Sequence, residues 1–503
     1  MVAEYLTIRN LTSTPVVLEQ IVRFSSQKVP KYDIKGVAKA LKKNVTRSES
    51  AAECASQNVE YSDHQDVSIC IEPFESVETG IRAFDKSDKE RLQLIFDVEG
   101  EKHQFQTSVP SKDYETSKPL ADNLRFQFTG IYVRPESYFA IYSSANPNAW
   151  MRELKDETYI SALSIPGTHN SPACHLAAPS VRCQAVSPRK QLENGVRFFD
   201  VRVQPQFPDD PDKDNLILVH GAFPISLAGH KYFRDLTIEI ESFLDRNPSE
   251  TLIVSLKREG PGSHTDAQLS RILRDHYARD GSPWYTEPRI PSLGEVRGKI
   301  VLIRRFELEE RLTREWDGRG WGINGEGWED NTPFAICPSG DICVQDFYAV
   351  LEKEKIQQKI DYINAHLRRT AELCYPFGVI GKDGANDGDE NRKFPFYINF
   401  LSASNFWNLQ TWPEKIAASI NPATVDYLCR RHRGEKGDWS TGITAHDEAK
   451  ISRTSEKNLE IFTRARSLID DMMPILDNIY DAYCTVDKGK QKLACIKANG
   501  RKN

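Results

Sequence analysis

The sequence predicts an α/β protein in which a TIM-type β/α barrel, regular or distorted, follows an all-β, sandwich-like N-terminal domain. Short β-branched runs and runs with period-2 alternation fill the first 150 residues. From Tyr159 onward, short apolar runs alternate with longer helical patterns, which is the order found in a β/α barrel. The chain has 503 residues, whereas single hydrophobic cores stop growing at roughly 250–300 residues. We therefore expect two domains.

The N-terminal region is predicted to be a β-sandwich-like accessory domain over residues 1–147. Its predicted strands cover residues 5–8, 16–24, 67–71, 91–98 and 138–142, with one short helix at 34–41. The segment YSSANP at 142–147 is rich in small and turn-forming residues, which is typical of a linker.

The predicted barrel, interpreted as the catalytic domain, covers residues 148–455. We expect strands at 160–165, 196–203, 216–220, 251–257, 299–306, 342–345, 396–401 and 442–444, with helices at 233–246, 267–279 and 351–374. Residues 455–483 carry apolar side chains at helical spacing, so residues 456–503 are predicted to form a helical extension that packs on the barrel.

Composition and charge are those of a globular protein, with 39% hydrophobic and 27% charged residues. A net charge of -6 gives no bulk attraction to nucleic acid or to an anionic bilayer, so we expect no nucleic-acid partner and only local membrane contact. No apolar run reaches the roughly 20 residues of a transmembrane helix, so we expect none. The N-terminus lacks a basic region followed by an apolar one, which predicts a cytoplasmic protein, peripheral at membranes. The ten cysteines lack metal-ligand spacing and are expected to be reduced core residues.

Polar side chains follow several of the predicted barrel strands. In a β/α barrel the active site lies at the C-terminal ends of the strands. A single histidine there is weak evidence, but two histidines and an arginine at three strand ends indicate a site. The candidates are His169 and Asn170 in SIPGTHNS, Asp200 and Arg202 in RFFDVRV, His220 in LVHG, Lys257 in VSLKRE, Asp346 and Tyr348 in ICVQDFY, and Asp447 in GITAHD.

These residue types suit the cleavage of a phosphodiester by an internal hydroxyl. That reaction needs a base for the attacking hydroxyl, an acid for the leaving alkoxide and a fixed cation for the phosphate oxygens. Imidazole titrates near neutral pH and suits both proton-transfer roles. A guanidinium stays charged and holds a phosphate with two parallel hydrogen bonds.

The ordered motifs SIPGTHNS, RFFDVRV, LVHG, VSLKRE, GKIVLIRRF and VQDFY closely resemble the catalytic X domain of bacterial-type phosphatidylinositol-specific phospholipases C. The resemblance covers residues 159–447 and leaves out the N-terminal region. It implies cleavage of phosphatidylinositol, or a related phospholipid at a membrane surface, to diacylglycerol and a cyclic inositol phosphate.

The resemblance also implies a role for each candidate. His169 would be the general base for the inositol 2-hydroxyl, oriented by Asp447, and His220 the acid that protonates the leaving diacylglycerol oxygen. Arg202 would neutralise the phosphate with support from Asp200. The residues implied to bind the inositol ring are Lys257, Arg305, Asp346 and Tyr348. Strand alternation allows only one of Arg304 and Arg305, and only one of His446 and Asp447, to face the site; the motif position before Phe306 favours Arg305.

Asn170 departs from the pattern of the bacterial enzymes, which usually have an aspartate there to support the general acid. An amide can form a hydrogen bond but cannot hold an imidazolium by charge. The calcium-dependent relatives use asparagine at this place as a metal ligand. However, Arg202 lies two residues beyond Asp200 and would repel a divalent cation. We therefore expect no cofactor and regard calcium as possible in principle but disfavoured.

Other interpretations of the sequence are a catalytically weak headgroup-binding protein and another phosphodiesterase on the same barrel. Retention of both histidines and Arg202 argues against the first. The second generally requires acidic pairs that hold magnesium, and no such pair accompanies His169. The loop WDGRGWGINGEGWED is either an interfacial loop, because tryptophan favours lipid headgroups, or a lid on the barrel.

Overall fold

The computed structural model describes residues 5–27, 59–83, 90–107, 114–119, 125–133, 136–144, 146–174, 180–373, 394–405, 408–433 and 439–447. The chain divides into two compact units, one of Met1–Ser144 with Leu428–Arg431 and one of Ala145–Tyr427 with His432–Asn503. The predicted helix at 34–41 and the predicted helical extension at 456–503 lie outside the described residues. Within those residues, no helix is both long and apolar enough to span a membrane.

The first unit consists of strands in one continuous sheet, in the order β3-β2-β5-β6-β7-β8-β9-β1-β4. The five predicted strands of this region are confirmed, whereas β4, β6, β7 and β8 were not predicted. Strands such as β7 (YETSKP) carry few apolar side chains and therefore give little period-2 signal. The strands are β1 (Tyr5–Leu11), β2 (Val16–Gln27), β3 (Val59–Ile71), β4 (Ser76–Arg82), β5 (Glu90–Val98), β6 (Glu101–Gln106), β7 (Tyr114–Pro119), β8 (Phe128–Val133) and β9 (Tyr138–Ser143).

The strands of this unit enclose one hydrophobic core. Alternate residues of β5, including Leu94 and Phe96, are buried because one face of the strand points inward. Phe96 stacks on Phe139 of β9 with ring centroids 6.0 Å apart. Three strands separate β5 from β9 in the sheet order. The sheet must therefore fold back on itself around this core.

The second unit is built around a curved sheet of parallel strands in the order β16-β14-β11-β10-β21-β20-β19. Its strands are β10 (Ile165–Thr168), β11 (Phe198–Pro205), β12 (Leu216–His220), β13 (Phe223–Pro224), β14 (Leu252–Arg258), β15 (Trp284–Tyr285), β16 (Ile300–Arg305), β17 (Ile323–Asn324), β18 (Ala335–Ile336), β19 (Ile342–Gln345), β20 (Phe396–Phe400) and β21 (Ile443–His446). Its α-helices include α1 (Pro188–Glu193), α2 (Phe233–Arg246), α3 (Asp266–His276), α4 (Leu293–Val296), α5 (Glu310–Thr313), α6 (Ile356–Ala371) and α7 (Pro413–Arg430).

Two predicted barrel strands are corrected by this topology. Strand β12 pairs antiparallel with β11 and with β13, so residues 216–220 belong to a hairpin beside the parallel sheet. Its apolar sequence LILVH is typical of a buried strand but carries no information on direction. The predicted strand at 160–165 is wrong for most of its length, because Ile160–Ala162 is a 3-10 helix and β10 begins at Ile165.

The parallel strands are buried on both faces, as expected where helices cover a sheet. Adjacent residues of β11 show this, since Phe198 packs with Ile165 and Val301 in one core while Phe199 packs with helix α2 in another. Helix α2 contributes residues at the i, i+3, i+4 spacing of an amphipathic helix, namely Phe233, Leu236, Ile240, Phe243 and Leu244.

The C-terminal ends of the parallel strands converge on one region. Arg305 ends β16, at one end of the parallel series, and Asp346 follows β19, at the other end. Their side chains nevertheless lie 3.8 Å apart, from Arg305 Nη2 to Asp346 Oδ2. The sheet is therefore strongly curled, so that polar side chains following different strands face each other.

Candidate active site

His169 lies at the centre of this region, directly after β10. Its backbone N–H donates to the carbonyl of His446 at 2.9 Å, which joins β10 to β21 at their ends. Its Nδ1 is 2.8 Å from Asp447 Oδ1, and its Nε2 is 3.0 Å from Arg202 Nη2. Because a carboxylate only accepts hydrogen bonds and a guanidinium only donates them, this network assigns the proton to Nδ1 and a lone pair to Nε2. His169 is thus arranged to accept a proton at Nε2.

Arg202 and Asp200 form the charged floor of the site. Asp200 is fully buried, and its Oδ2 accepts from Arg202 Nη2 at 3.2 Å and from the backbone N–H of Asn170 at 3.0 Å. Arg305 Nη1 lies 3.4 Å from the other carboxylate oxygen. Burial opposes ionisation, but Arg202, Arg305 and His169 hold the pKa of Asp200 well below its usual range. Asp200 therefore remains a carboxylate that fixes both guanidinium groups.

Glu259 is a second carboxylate of the site, and sequence analysis did not single it out. Its Oε1 is 3.3 Å from Arg202 Nη1 and 3.1 Å from Lys257 Nζ, and its Oε2 accepts from the N–H of Gly221 at 2.8 Å. Burial raises the pKa of Glu259, but the charges of Arg202 and Lys257 outweigh that effect and lower it to about 2. Its position two residues after Lys257, the period of a strand, was the available signal.

His220 ends β12, and its ring centroid is 5.7 Å from that of His169. Its Nδ1 is 2.9 Å from the carbonyl oxygen of Val181, which can only accept. Nδ1 therefore carries the proton of the neutral ring. Burial, and then the positive charges of Arg202 and His169, lower the pKa of His220 from 6.5 to about 4. His220 is consequently neutral at pH 7 in the free protein.

Asn170 is buried and has a positive φ of 37°. Its backbone N–H is used by Asp200, but neither Oδ1 nor Nδ2 of its side chain has a hydrogen-bond partner among the described residues. The side-chain hydrogen bond from Asn170 to the acid, which sequence analysis considered, is thus not present. The group that holds His220 is the Val181 carbonyl.

Of the predicted ring-binding residues, Arg305 and Asp346 lie beside each other near Asp200, whereas Lys257 lies beside Glu259. The guanidinium of Arg305 stacks on Trp328, 3.8 Å from the ring centroid, and the indole N–H of Trp328 donates to Asp346 Oδ2 at 3.0 Å. Tyr348 is 38% exposed at the rim, and its hydroxyl donates to Asp330 Oδ2 at 2.6 Å. Trp328 and Asp330 were not predicted as site residues, because the sequence of their loop does not indicate which side chains face the site.

Residues 181–184 contact both histidines, His169 at its backbone and His220 at its ring. The Gln184 amide donates to the backbone carbonyls of His169 at 2.7 Å and His446 at 2.8 Å. Cys183 Sγ lies 3.6 Å from His220 Nδ1, and Val181 supplies the carbonyl described above. This irregular segment between β10 and α1 has no periodicity and no motif, so the sequence offered no signal for it.

The adjacent residues Arg304 and Arg305, and likewise His446 and Asp447, face opposite sides of their strands. Arg305 faces Asp200, whereas Arg304 pairs with Glu326 at 2.8 Å. Asp447 faces His169, whereas His446 contributes its backbone carbonyl. The tryptophans of the loop at 316–330 also differ among themselves, since Trp316 is 40% exposed, Trp321 is in the core and Trp328 stacks on Arg305.

Part of the chain is similar to a known protein family and to named bacterial enzymes. Residues 159–306 match the family model described as phosphatidylinositol-specific phospholipase C, X domain. The 1-phosphatidylinositol phosphodiesterase of Listeria monocytogenes is 35% identical over 188 residues, covering 34% of this chain and 53% of that protein, so the match spans about half of the relative. The enzyme of the same name from Staphylococcus aureus strain Newman is 26% identical over 291 residues, covering 56% and 82%.

Among solved structures, one of the S. aureus phosphatidylinositol-specific phospholipase C is 23% identical, covers 63% of this chain and 97% of that one, and has a TM-score of 0.48. The segment that matches the family model carries His169, Arg202 and His220. Residues 159–306 are therefore similar to the X domain of phosphatidylinositol-specific phospholipases C, and the named relatives are bacterial enzymes.

Proposed function

We propose that this protein is a metal-independent phospholipase C that cleaves phosphatidylinositol to diacylglycerol and a cyclic inositol phosphate. One observation carries the proposal: His169 has Asp447 at Nδ1, 2.8 Å away, and the phosphate-binding candidate Arg202 at Nε2, 3.0 Å away. The names of the bacterial relatives support the substrate class.

His169 is proposed as the general base. Its Nε2 removes the proton of the inositol 2-hydroxyl, and the resulting oxygen attacks phosphorus to close the cyclic ester. Asp447 stabilises the imidazolium that forms and keeps the ring in the correct tautomer. When the substrate binds, its phosphate replaces Nε2 of His169 as the partner of Arg202.

Arg202 is proposed to neutralise the charge that grows on the phosphate oxygens. Asp200 and Glu259 hold the guanidinium from two sides, so little reorganisation accompanies the reaction. The same arrangement supports a reaction without a divalent cation, because a cation placed on Asp200 would lie beside both Arg202 and Arg305.

His220 is proposed as the general acid that protonates the leaving diacylglycerol oxygen. The bound phosphodiester anion raises its pKa above the low value of the free protein, since opposite charge favours imidazolium. Because a backbone carbonyl and not a carboxylate holds Nδ1, the proton is given up readily. Asn170 is proposed to act through its backbone N–H, which positions Asp200.

The inositol hydroxyls are proposed to meet Lys257, Arg305 and Asp346, while Tyr348 covers the ring face. Glu259 and Trp328 extend this set by their contacts with Lys257 and Arg305. The substrate lies in a membrane surface, so the protein is proposed to act there as a peripheral enzyme; the cytoplasmic location stays a prediction.

We further propose that the curled parallel sheet is a distorted TIM-type barrel and that the folded-back sheet of the first unit is a sandwich-like accessory domain. The domain ranges 1–147, 148–455 and 456–503 remain predictions of the sequence.

The proposal is tested by incubating the full chain with phosphatidylinositol micelles in excess chelator and following the water-soluble product by phosphorus NMR. A cyclic phosphate signal is expected for the unaltered protein and for His230→Ala, a matched control at an exposed histidine, and not for His169→Ala. Product only after calcium is added would overturn the metal-free reaction. No product under either condition would favour a headgroup-binding protein or another phosphodiester substrate.

A further inference from the structure

We propose that His169, Cys183 and His220 form a binding site for a thiophilic divalent cation such as Zn²⁺, and that occupation of this site inhibits the protein. One ligand atom from each of the three residues lies within 4.8 Å of the other two. The inhibition rests on the proposed function, whereas the binding of the cation does not.

The spacing of the ligand atoms is close to that of a tetrahedral zinc site. With Zn–S near 2.3 Å and Zn–N near 2.0–2.1 Å, two tetrahedral ligands lie roughly 3.4–3.6 Å apart. Cys183 Sγ and His220 Nδ1 are 3.6 Å apart; for Nδ1 to bind the cation, the ring proton must move to Nε2 and the hydrogen bond to the Val181 carbonyl must break. The 4.8 Å upper limit for the set exceeds the tetrahedral spacing by roughly 1 Å, which a rotation of side chains can close.

His169 already has the second contact that zinc-binding histidines usually have. Such histidines donate their other ring N–H to a carboxylate, which fixes the tautomer and strengthens the ligand. Asp447 does this at Nδ1 and leaves the lone pair of Nε2 for a cation. Nη2 of Arg202, which also contacts Asp200, must move away from His169 Nε2, whereas the contact with Glu259 is made by the other nitrogen, Nη1.

The charge of the site favours one added positive charge. Four carboxylates and three basic groups give a formal charge of about -1 when both imidazoles are neutral, as metal ligands must be. A divalent cation with the Cys183 thiolate adds about +1 and brings the sum to zero. The groups counted are Asp200, Glu259, Asp346 and Asp447 against Arg202, Lys257 and Arg305.

The ligand set also determines which cations bind and what they do. A thiolate with two imidazoles selects Zn²⁺, Cd²⁺ or copper, whereas Ca²⁺ and Mg²⁺ prefer oxygen ligands. A cation on His169 Nε2 occupies the lone pair that takes the proton from the substrate hydroxyl. Binding therefore blocks the proposed base, so a metal ion acts here as an inhibitor.

Binding is tested with Co²⁺, which reports thiolate ligation by a charge-transfer band in the near ultraviolet. The full chain, freed of metal by chelator, is titrated with Co²⁺ and then with Zn²⁺. We expect the band in the unaltered protein and in Cys70→Ser, a control at an exposed thiol of the first unit. It should be absent in Cys183→Ser, with Cys183→Ala as a second variant if that protein unfolds. A band of equal intensity without the Cys183 thiol, or no band at all, overturns the site.

Inhibition is tested by adding Zn²⁺ to the cleavage assay, with each variant compared with its own metal-free rate. Half-inhibition of Cys183→Ser or Cys183→Ala should need at least about tenfold more Zn²⁺ than the unaltered protein, and Mg²⁺ should have no effect. Equal sensitivity of these variants contradicts the proposal. A cobalt band in a protein that cleaves nothing would keep the site and refute the proposed function, whereas cleavage without a band would refute the site alone.

Discussion

The surroundings of the two histidines differ although their ring centroids are only 5.7 Å apart. The Nδ1 of His169 faces the carboxylate of Asp447 at 2.8 Å, while the Nδ1 of His220 faces the carbonyl of Val181 at 2.9 Å. A carboxylate stabilises an imidazolium by its full charge, whereas a carbonyl offers only a dipole. The same side chain is thus prepared to gain a proton in one place and to lose it in the other.

The Asp447→Asn variant removes this difference. The amide can donate to Nδ1 and move the ring proton to Nε2, so His169 can no longer act as a base. We expect kcat to fall by roughly 10³- to 10⁴-fold, the largest effect of those considered. Asp361→Asn, at an exposed aspartate of α6, is the matched control. A loss below tenfold would show that Asp447 does not orient the base.

The Arg202→Lys variant tests the cation that both histidines share. Arg202 contacts His169 and Asp200 through Nη2 and Glu259 through Nη1, and a single ammonium cannot keep all three contacts. We expect kcat to fall by roughly 10²- to 10³-fold in the phosphorus NMR assay. Arg311→Lys, at a half-exposed arginine, controls for the loss of a guanidinium. Unchanged turnover would mean that the cation does not contact the phosphate.

The Gln184→Met variant tests the backbone support of His169. Without the amide donors the carbonyls of His169 and His446 lose two hydrogen bonds, and the base shifts relative to Asp447. We expect kcat to fall by roughly 10- to 100-fold with little change in KM, and the unfolding free energy to fall by about 1–3 kcal/mol.

The positioning role of Gln184 has a spectroscopic test. The low-field proton resonance of the His169–Asp447 hydrogen bond should shift or broaden in Gln184→Met and stay in place in Gln357→Met, which changes an exposed glutamine of α6. A reduced stability with an unmoved resonance would leave Gln184 with a purely structural role.

The titration of His220 tests the difference between the surroundings of the two histidines, and its expected effect is the smallest. Burial and nearby positive charge lower the pKa of His220 from 6.5 to about 4. Between these two pH values His220 is protonated in the unfolded chain and neutral in the folded chain. The contribution of His220 to stability therefore decreases as pH falls from 6.5 towards 4. Histidine NMR, assigned with His220→Gln, should give a midpoint near 4 that rises when cyclic inositol phosphate is added. A midpoint near 6.5 in the free protein would contradict the described environment.

Much of the candidate site could be predicted because its residues follow apolar runs in the sequence. The alternation of strand residues showed that only one of Arg304 and Arg305, and only one of His446 and Asp447, could face the site. The family resemblance then chose Arg305 and Asp447. Glu259 could have been found by the same rule. The support of His220 could not, because Val181 acts through its backbone carbonyl, and the identity of a side chain says little about where a carbonyl points.

The fold could be predicted less completely than the site. The sequence LILVH has the composition of a buried strand, but the direction of β12 depends on its partner β11. Strand β7 pairs with β6 and β8, and its sequence YETSKP has few apolar residues, so it gave little signal.

Residues 181–184 give the base and the acid a common mechanical support. A displacement of this short stretch changes the carbonyl that holds His220 and the amide that holds the backbone of His169 at the same time. The two halves of the proposed reaction therefore cannot be adjusted independently through this stretch. Substitutions here should alter proton uptake and proton delivery together, whereas substitutions at Asp447 alter proton uptake alone.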